Sequence, residues 1–330
     1  MPLQPKARRR NQALACLEAF GGGHRNRWRE RVDEKNITIQ VSSDVGRLHE
    51  VIVGPVKAFT FEDIVSEFVP TPEPHVGEVA AEIFARYPVH APDPVTAVIQ
   101  HEQLVALLAA HGVTLHWAHP ADAQVQLYTR DMGFVIDDVY FPARPASPIR
   151  RREQAGLAWL LPRLSKVREL RGGCIEGSDV LVTDDDVLVG LSGTTNEDGL
   201  AALRAAMAAE GIDRRVVPLT FAHPEAVHLN VHFTMAGADV GLFDPPAFAR
   251  ESRSYLESRF DLVDVTPDEV RRFAVNALAL APNRLIVEAA DERIAAEVHS
   301  RGITPIPIDY SAISCFSGGI HRSVLPLVRG

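Results

Sequence analysis

VLVTDDDVLVGL, residues 180–191, consists of two arms rich in Val and Leu around three aspartates. β-branched and leucine-rich arms suit a pleated strand, and Asp side chains bond their own backbone in turns, so the stretch predicts a β-hairpin. The form recurs in FVIDDVYF (134–141), HFTMAGADVGLF (232–243) and LALAPNRLIVEA (278–289). The turn centres fall near positions 137, 185, 237 and 283. A repeat of about 50 residues is therefore the first organising feature of the chain.

Helical patterns follow three of the hairpins. NEDGLAALRAAMAAEG (196–211) opens on a capping Asn, ends on Gly and spaces its apolar residues by three and four. PPAFARESRSYLESR (245–259) and ADERIAAEVHSRG (290–302) repeat the pattern. Each is followed by a β-like stretch: RRVVPLT, FDLVDVT and ITPIPID. An earlier, diverged copy begins at GRLHEVIVGP (46–55) and continues in QHEQLVALLAAHGVTLHWA (100–118). The chain thus predicts an α/β fold of about five hairpin–helix–strand units, closed like a propeller, in which equivalent places of each unit converge on a central pocket. The segment CFSGGIHRSV (315–324) reads as the closing strand of the last unit.

Composition sets the outer limits. The chain has 330 residues, 46% hydrophobic and 23% charged, enough to bury a normal core without staples. Three cysteines (Cys16, Cys174 and Cys315) show neither metal spacing nor a disulfide framework, which points to a reducing cytoplasm. No apolar run reaches the length of a membrane span. The net charge of −9 argues against nucleic-acid binding. One exception is local: KARRR (6–10) and HRNRWRER (24–31) form a basic stretch interrupted by GGG. Residues 1–36 therefore read as a flexible basic arm, and 37–330 as one domain. Symmetric assembly is common among soluble chains, so a homodimer is the expected state.

Polar motifs stand just before the hairpins. YTRDMGFV (128–135) carries Asp131, GGCIEGSDVLV (172–182) carries Glu176 and Asp179, and HLNVHFT (228–234) carries His228 and His232. His321 lies in the terminal glycine-containing segment. Singly, each has an ordinary reading as a turn, cap or packing residue. Their recurrence in matching places is what favours a shared site. No ligand spacing supports a metal. Cys174 lies two residues from Glu176 and reads as a small packing residue.

The order TRD, IEGSDVLV, VLVGLS, TN, HLNVHFTM, GGIH resembles the guanidino-group modifying enzymes, or penteins: arginine deiminases, dimethylarginine dimethylaminohydrolases, agmatine deiminases and amidinotransferases. The resemblance runs from about residue 46 to the C-terminus. It implies a five-bladed αβ propeller, cysteine-based hydrolysis or transfer of an amidino group, no cofactor, and a guanidino or arginine-like substrate. It implies that Asp131 and Glu176 hold the flat guanidinium cation by charge-assisted hydrogen bonds and that His228 is the acid–base. Candidates for catalysis are Glu176, His228, Cys315 and Ser323. Those for substrate binding are Asp131, Asp179, Asn230 and Arg322.

Three positions depart from the family pattern. Asn230 stands where the usual motif has an acid, Thr194 where an arginine would clamp a carboxylate, and Arg322 or Ser323 where the nucleophilic cysteine would follow GGIH. Three readings stay open. Cys315 is a displaced nucleophile; Ser323 or a water attacks instead; or the cysteine chemistry is lost and the protein binds a guanidino-type ligand or a partner without turnover. A role with nucleic acid through the basic arm is a weaker alternative.

Overall fold

The computed structural model describes residues 36–56, 93–121, 125–223, 226–315 and 318–330. The basic arm, save its last residue, and Cys16 lie outside them. No helix among the described residues is long and apolar enough to cross a membrane.

The described residues form five separate small sheets. All four predicted hairpins are present. β4 (Gly133–Ile136) pairs antiparallel with β5 (Val139–Pro142), β6 (Val180–Val182) with β7 (Asp186–Leu191), β9 (Phe233–Met235) with β10 (Val240–Phe243), and β12 (Leu278–Ala281) with β13 (Arg284–Glu288). In three of these sheets a further strand joins in parallel after a helix: β8 (Arg215–Thr220), β11 (Asp261–Asp264) and β14 (Thr304–Ile308). The β4–β5 sheet has only its two strands.

The helix Glu197–Glu210 shows how sequence sets these units. Asn196 caps it by accepting a hydrogen bond from Gly199 N–H at 2.9 Å. Gly211 ends it in the left-handed region (φ 72°), where a Cβ would be strained. Leu200, Leu203, Ala206 and Met207 form one buried stripe, packed in a cluster with Val180, Val187 and Val189 of the sheet. Burying each such leucine contributes about 1.5–3 kcal/mol.

The fifth sheet corrects one expectation. β15 (Val324–Arg329) does not close the last unit, whose β12–β13–β14 sheet is already complete. It pairs antiparallel with β2 (Leu48–Val53), Leu325 opposite Ile52, and parallel with β1 (Gln40–Val41). β3 (Thr114–Trp117) completes this sheet after the helix Pro94–Ala110. The two ends of the described chain therefore supply the antiparallel strand pair of this sheet. Val51, Ile52, Leu325 and Leu327 are all fully buried, so the pairing is driven by apolar burial as well as by the ladder. Arg329, the last residue of β15, is buried, donating from Nη1 to the carbonyls of Gly46 and Ala279 at 2.8 Å each.

Candidate active site

The polar motifs occupy the same structural place in different units: a short turn that delivers the chain into the first strand of a sheet. Asp131 lies in the 3-10 turn Thr129–Met132 before β4. Glu176 precedes the turn Gly177–Asp179 before β6, and His228 precedes the turn Leu229–Val231 before β9. Arg322 lies in the turn before β15. Asn276, which the sequence reading missed, stands just before β12. Its Oδ1 accepts from Gly319 N–H at 2.9 Å and Arg322 N–H at 3.0 Å, and its Nδ2 donates to Asn230 O at 2.8 Å. The repeat itself was the signal that could have found it, since Asn276 stands two residues before its hairpin, as Asp131 does.

Asp131, Glu176 and His228 converge. His228 Nε2 is 3.9 Å from Asp131 Oδ1 and 3.9 Å from Glu176 Oε2, and all three residues are buried. His228 has φ 62°, a strained value for a side chain of its size. Its neighbours hold it there. Leu229 N–H donates to Asp179 Oδ1 at 2.9 Å, and His228 Nδ1 lies 3.2 Å from Thr194 Oγ1. Thr194 donates its own proton to Asp179 Oδ2 at 2.8 Å, so its oxygen accepts from Nδ1–H. That fixes the tautomer and leaves a lone pair on Nε2, facing the two acids.

Asp179 is a scaffold for this arrangement. Besides Leu229 N–H it accepts from Ser192, Thr194 and Thr195 hydroxyls at 2.9, 2.8 and 2.6 Å. Its nearest approach to His228 is Oδ2 to Nδ1, 3.7 Å.

Asp131 is already engaged. Arg322 reaches its Oδ2 with Nε at 2.8 Å and Nη2 at 2.7 Å, and Arg150 reaches the same oxygen at 2.7 Å. The Ser178 hydroxyl donates to Oδ1. Arg322 is fully buried, with its guanidinium carbon 4.4 Å from the centre of the Tyr128 ring. Arg150 is also paired with Glu153 at 3.0 Å. Arg150 carried no motif signal, and Ser178, though inside the IEGSD motif, was not singled out; only folding brings them to Asp131.

Burial and charge set the protonation states. Burial alone would raise the Asp131 carboxyl, but Arg322, with His228 and Arg150, outweighs it and holds the group well below the usual carboxylate range. Burial pushes Glu176 up to about 8, with Asp131 and Asp179 adding to it against the pull of Arg150. Its Oε2 is buried without a hydrogen-bond partner. Burial lowers His228, and Arg322 lowers it further. At neutral pH the site therefore pairs a neutral histidine base with a protonated carboxylic acid.

Asp131, Glu176 and His228 also offer one ligand atom each within 4.8 Å of one another, a grouping of metal-ligand type that the sequence spacing did not suggest. Two guanidinium groups already compete for Asp131, and they would repel a dication.

The remaining candidates lie around this cluster or apart from it. Asn230 is buried, its Nδ2 3.0 Å from His321 Nδ1, with its Oδ1 unpartnered. Burial pushes His321 down to about 3, with Arg130 lowering it further. The Ser323 hydroxyl donates to Gly319 O at 3.0 Å. Cys315 is half-buried, its Sγ donating to Ala312 O at 3.0 Å, and burial pushes its thiol up to about 11. It lines a cavity with Arg271, Arg272, Glu288, Ser311 and Ser314, none of which belongs to the Asp131 cluster.

A family model described as N,N dimethylarginine dimethylhydrolase, eukaryotic, matches residues 94–328. The chain is similar to the uncharacterized protein YkgA of Bacillus subtilis (strain 168), 28% identical over 291 residues, 87% of this chain and 94% of that protein. It is similar to the N(G),N(G)-dimethylarginine dimethylaminohydrolase of Streptomyces coelicolor, 27% identical over 225 residues, 67% of this chain and 82% of that protein. Among solved structures it is similar in fold to SxtG, an amidinotransferase from Microseira wollei. There the TM-score is 0.70 at 19% identity, covering 88% of this chain and 97% of that one.

Proposed function

Because the chain belongs to the N,N dimethylarginine dimethylhydrolase family, and with it to the guanidino-group modifying superfamily, we propose that it hydrolyses a C–N bond at a planar guanidino-type carbon, with water rather than a thiolate as the attacking group. The observation that carries this reading is the orientation of His228. Its Nδ1–H is spent on Thr194, and its Nε2 lone pair faces the gap between Asp131 and Glu176.

In this reading His228 takes a proton from a water as the oxygen adds to the planar carbon. Glu176, in its acid form, gives its proton to the departing nitrogen. The C–N bond breaks, the water oxygen passes its second proton to a nitrogen of the reacting group as it becomes the carbonyl oxygen of the product, and the leaving nitrogen departs as ammonia or an amine, protonated where the group entered as a cation. The proton on His228 then returns to Glu176, 3.9 Å away through the vacated site. Asp131 stays ionised throughout. Asp179 and Thr194 act through His228, as positioning groups.

We also read the five sheets as five blades around one axis, formed by a single domain from about residue 37 onward. The turns before the sheets would then be the inner ends of the blades, which accounts for the meeting of residues almost two hundred positions apart. A second reading, binding of a guanidino-type ligand without turnover, is favoured by the Arg322–Asp131 pair, which occupies an acid that the resemblance assigns to substrate.

Incubation with arginine, agmatine, methylated arginines and guanidinoacetate, with assays for ammonia, urea and released amine, tests the reading. Turnover by the native protein and its loss in His228→Asn is the expected outcome. Saturable binding with no product would instead select the second reading.

A further inference from the structure

Arg322 puts a guanidinium on the very acid expected to hold one. It is a fixed part of the site: fully buried, joined twice to Asp131, lying against the Tyr128 ring, and with its backbone N–H bonded to Asn276. Arg150 adds a second positive charge at the same carboxylate oxygen, and its own second partner is Glu153. A cationic group entering beside Asp131 would meet two like charges there.

Among the described residues, two other acids face the histidine. Asp179 spends its oxygens on three hydroxyls and the Leu229 N–H, and it lies on the Nδ1 side of the His228 ring. Glu176 is the acid with an unpartnered buried oxygen on the Nε2 side. We propose that the reacting group this site accepts is uncharged, a ureido group or a guanidine kept neutral by its substituents, and that Arg322 is the residue that sets this preference. The inference rests on the hydrolase reading for the identity of the site and narrows its substrate class.

The state of Glu176 supports the geometry. With its carboxyl pushed up to about 8, the acid is mostly protonated at pH 7. A neutral ligand can share hydrogen bonds with the acid form directly, as both donor and acceptor. A cation is favoured only once Glu176 has ionised, which costs roughly a factor of ten in affinity at one unit below its pKa. The hydrolysis balances for a ureido group as well. Water adds to the carbonyl carbon, the amine leaves with the proton from Glu176, and the carbamic acid formed breaks down to carbon dioxide and ammonia.

Two pairs of near-isosteres test this: citrulline against arginine, and N-carbamoylputrescine against agmatine. Their affinities for the native protein are measured by calorimetry at pH 7, with amine release followed in the same samples. In each pair the uncharged member is expected to bind at least tenfold more tightly. Arg322→Met is expected to shift the preference toward the cation, and Arg322→Lys, which retains the charge, to keep it. Tighter binding of the cationic members by the native protein would overturn the inference, and so would binding of none of the four. A natively folded Arg322→Met protein with unchanged preference would overturn the role of Arg322. Should Arg322→Met fail to fold, the native comparison alone decides. Tight binding of the uncharged members without amine release would leave the inference standing and overturn the hydrolase reading.

Discussion

Arg322 and Asp131 form a two-point ion pair sealed from solvent, Nε at 2.8 Å and Nη2 at 2.7 Å from one carboxylate oxygen. A pair so deeply buried gains little over an apolar replacement, but removing one partner leaves the other exposed to its full desolvation cost. Asp131→Asn is therefore expected to lower unfolding free energy by about 3–5 kcal/mol, because Arg322 and Arg150 each lose a charged partner there. Arg322→Met should cost less, since Arg150 still pairs Asp131. Urea unfolding of the two variants measures the order; equal losses would mean that Arg150 does not share the carboxylate.

Thr194 holds the tautomer of His228. Thr194→Val removes the acceptor of Nδ1–H while keeping the side chain's volume. The expected result is a fall in kcat of about tenfold to a hundredfold, within the range for a disturbed acid–base group. KM should change little, and Thr194→Ser should restore most of the rate. A loss confined to KM would place Thr194 against the substrate instead.

Three buried groups give the activity or the stability a pH dependence. Activity needs Glu176 protonated and His228 neutral, so kcat/KM is expected to fall as pH rises through about 8, and to fall again on acidification below the ordinary histidine range. For stability, the folded pKa of Glu176 is raised, so its contribution is complete below the ordinary value of 4.5 and is lost as pH rises toward about 8. The folded pKa of His321 is depressed, so its contribution is present above 6.5 and is lost as pH falls toward about 3. Melting curves of Glu176→Gln and His321→Gln should each flatten one arm. An unchanged alkaline arm in Glu176→Gln would assign that arm to another group.

Much of this was legible in the sequence, for particular reasons. Hairpins centred on DDD, DD, AGAD and PN announced themselves because turn residues interrupt β-rich arms, and the structure has all four. Asn196 and Gly211 mark both ends of a helix in the sequence alone, and they cap it in the structure. Asp131, Glu176 and His228 were picked by motif, and the fold brings all three within 4.8 Å. The place of β15 was not legible, because pairing between strands some 270 residues apart leaves no local trace. The Arg150 and Ser178 contacts with Asp131 were hidden for the same reason. Arg322 was visible as a departure from the family pattern, but its ion pair with Asp131 emerges only from the fold.

Cys315 offers a separate check. Its thiol is pushed up to about 11, so almost none is thiolate at pH 7.5, and its Sγ bonds Ala312 O rather than any member of the histidine cluster. Iodoacetamide is expected to label it slowly, and Cys315→Ala to retain full turnover. Rapid labelling that abolishes activity would restore the displaced-nucleophile reading.

The central claim is that this site works without sulfur. A protein lacking Cys16, Cys174 and Cys315, each replaced by Ala, should turn over the same compounds at the rate of the native chain, and intact mass measured during turnover should show no covalent adduct. Loss of turnover in this variant, with native folding retained, or an adduct mapped to a cysteine in the native chain, would contradict it.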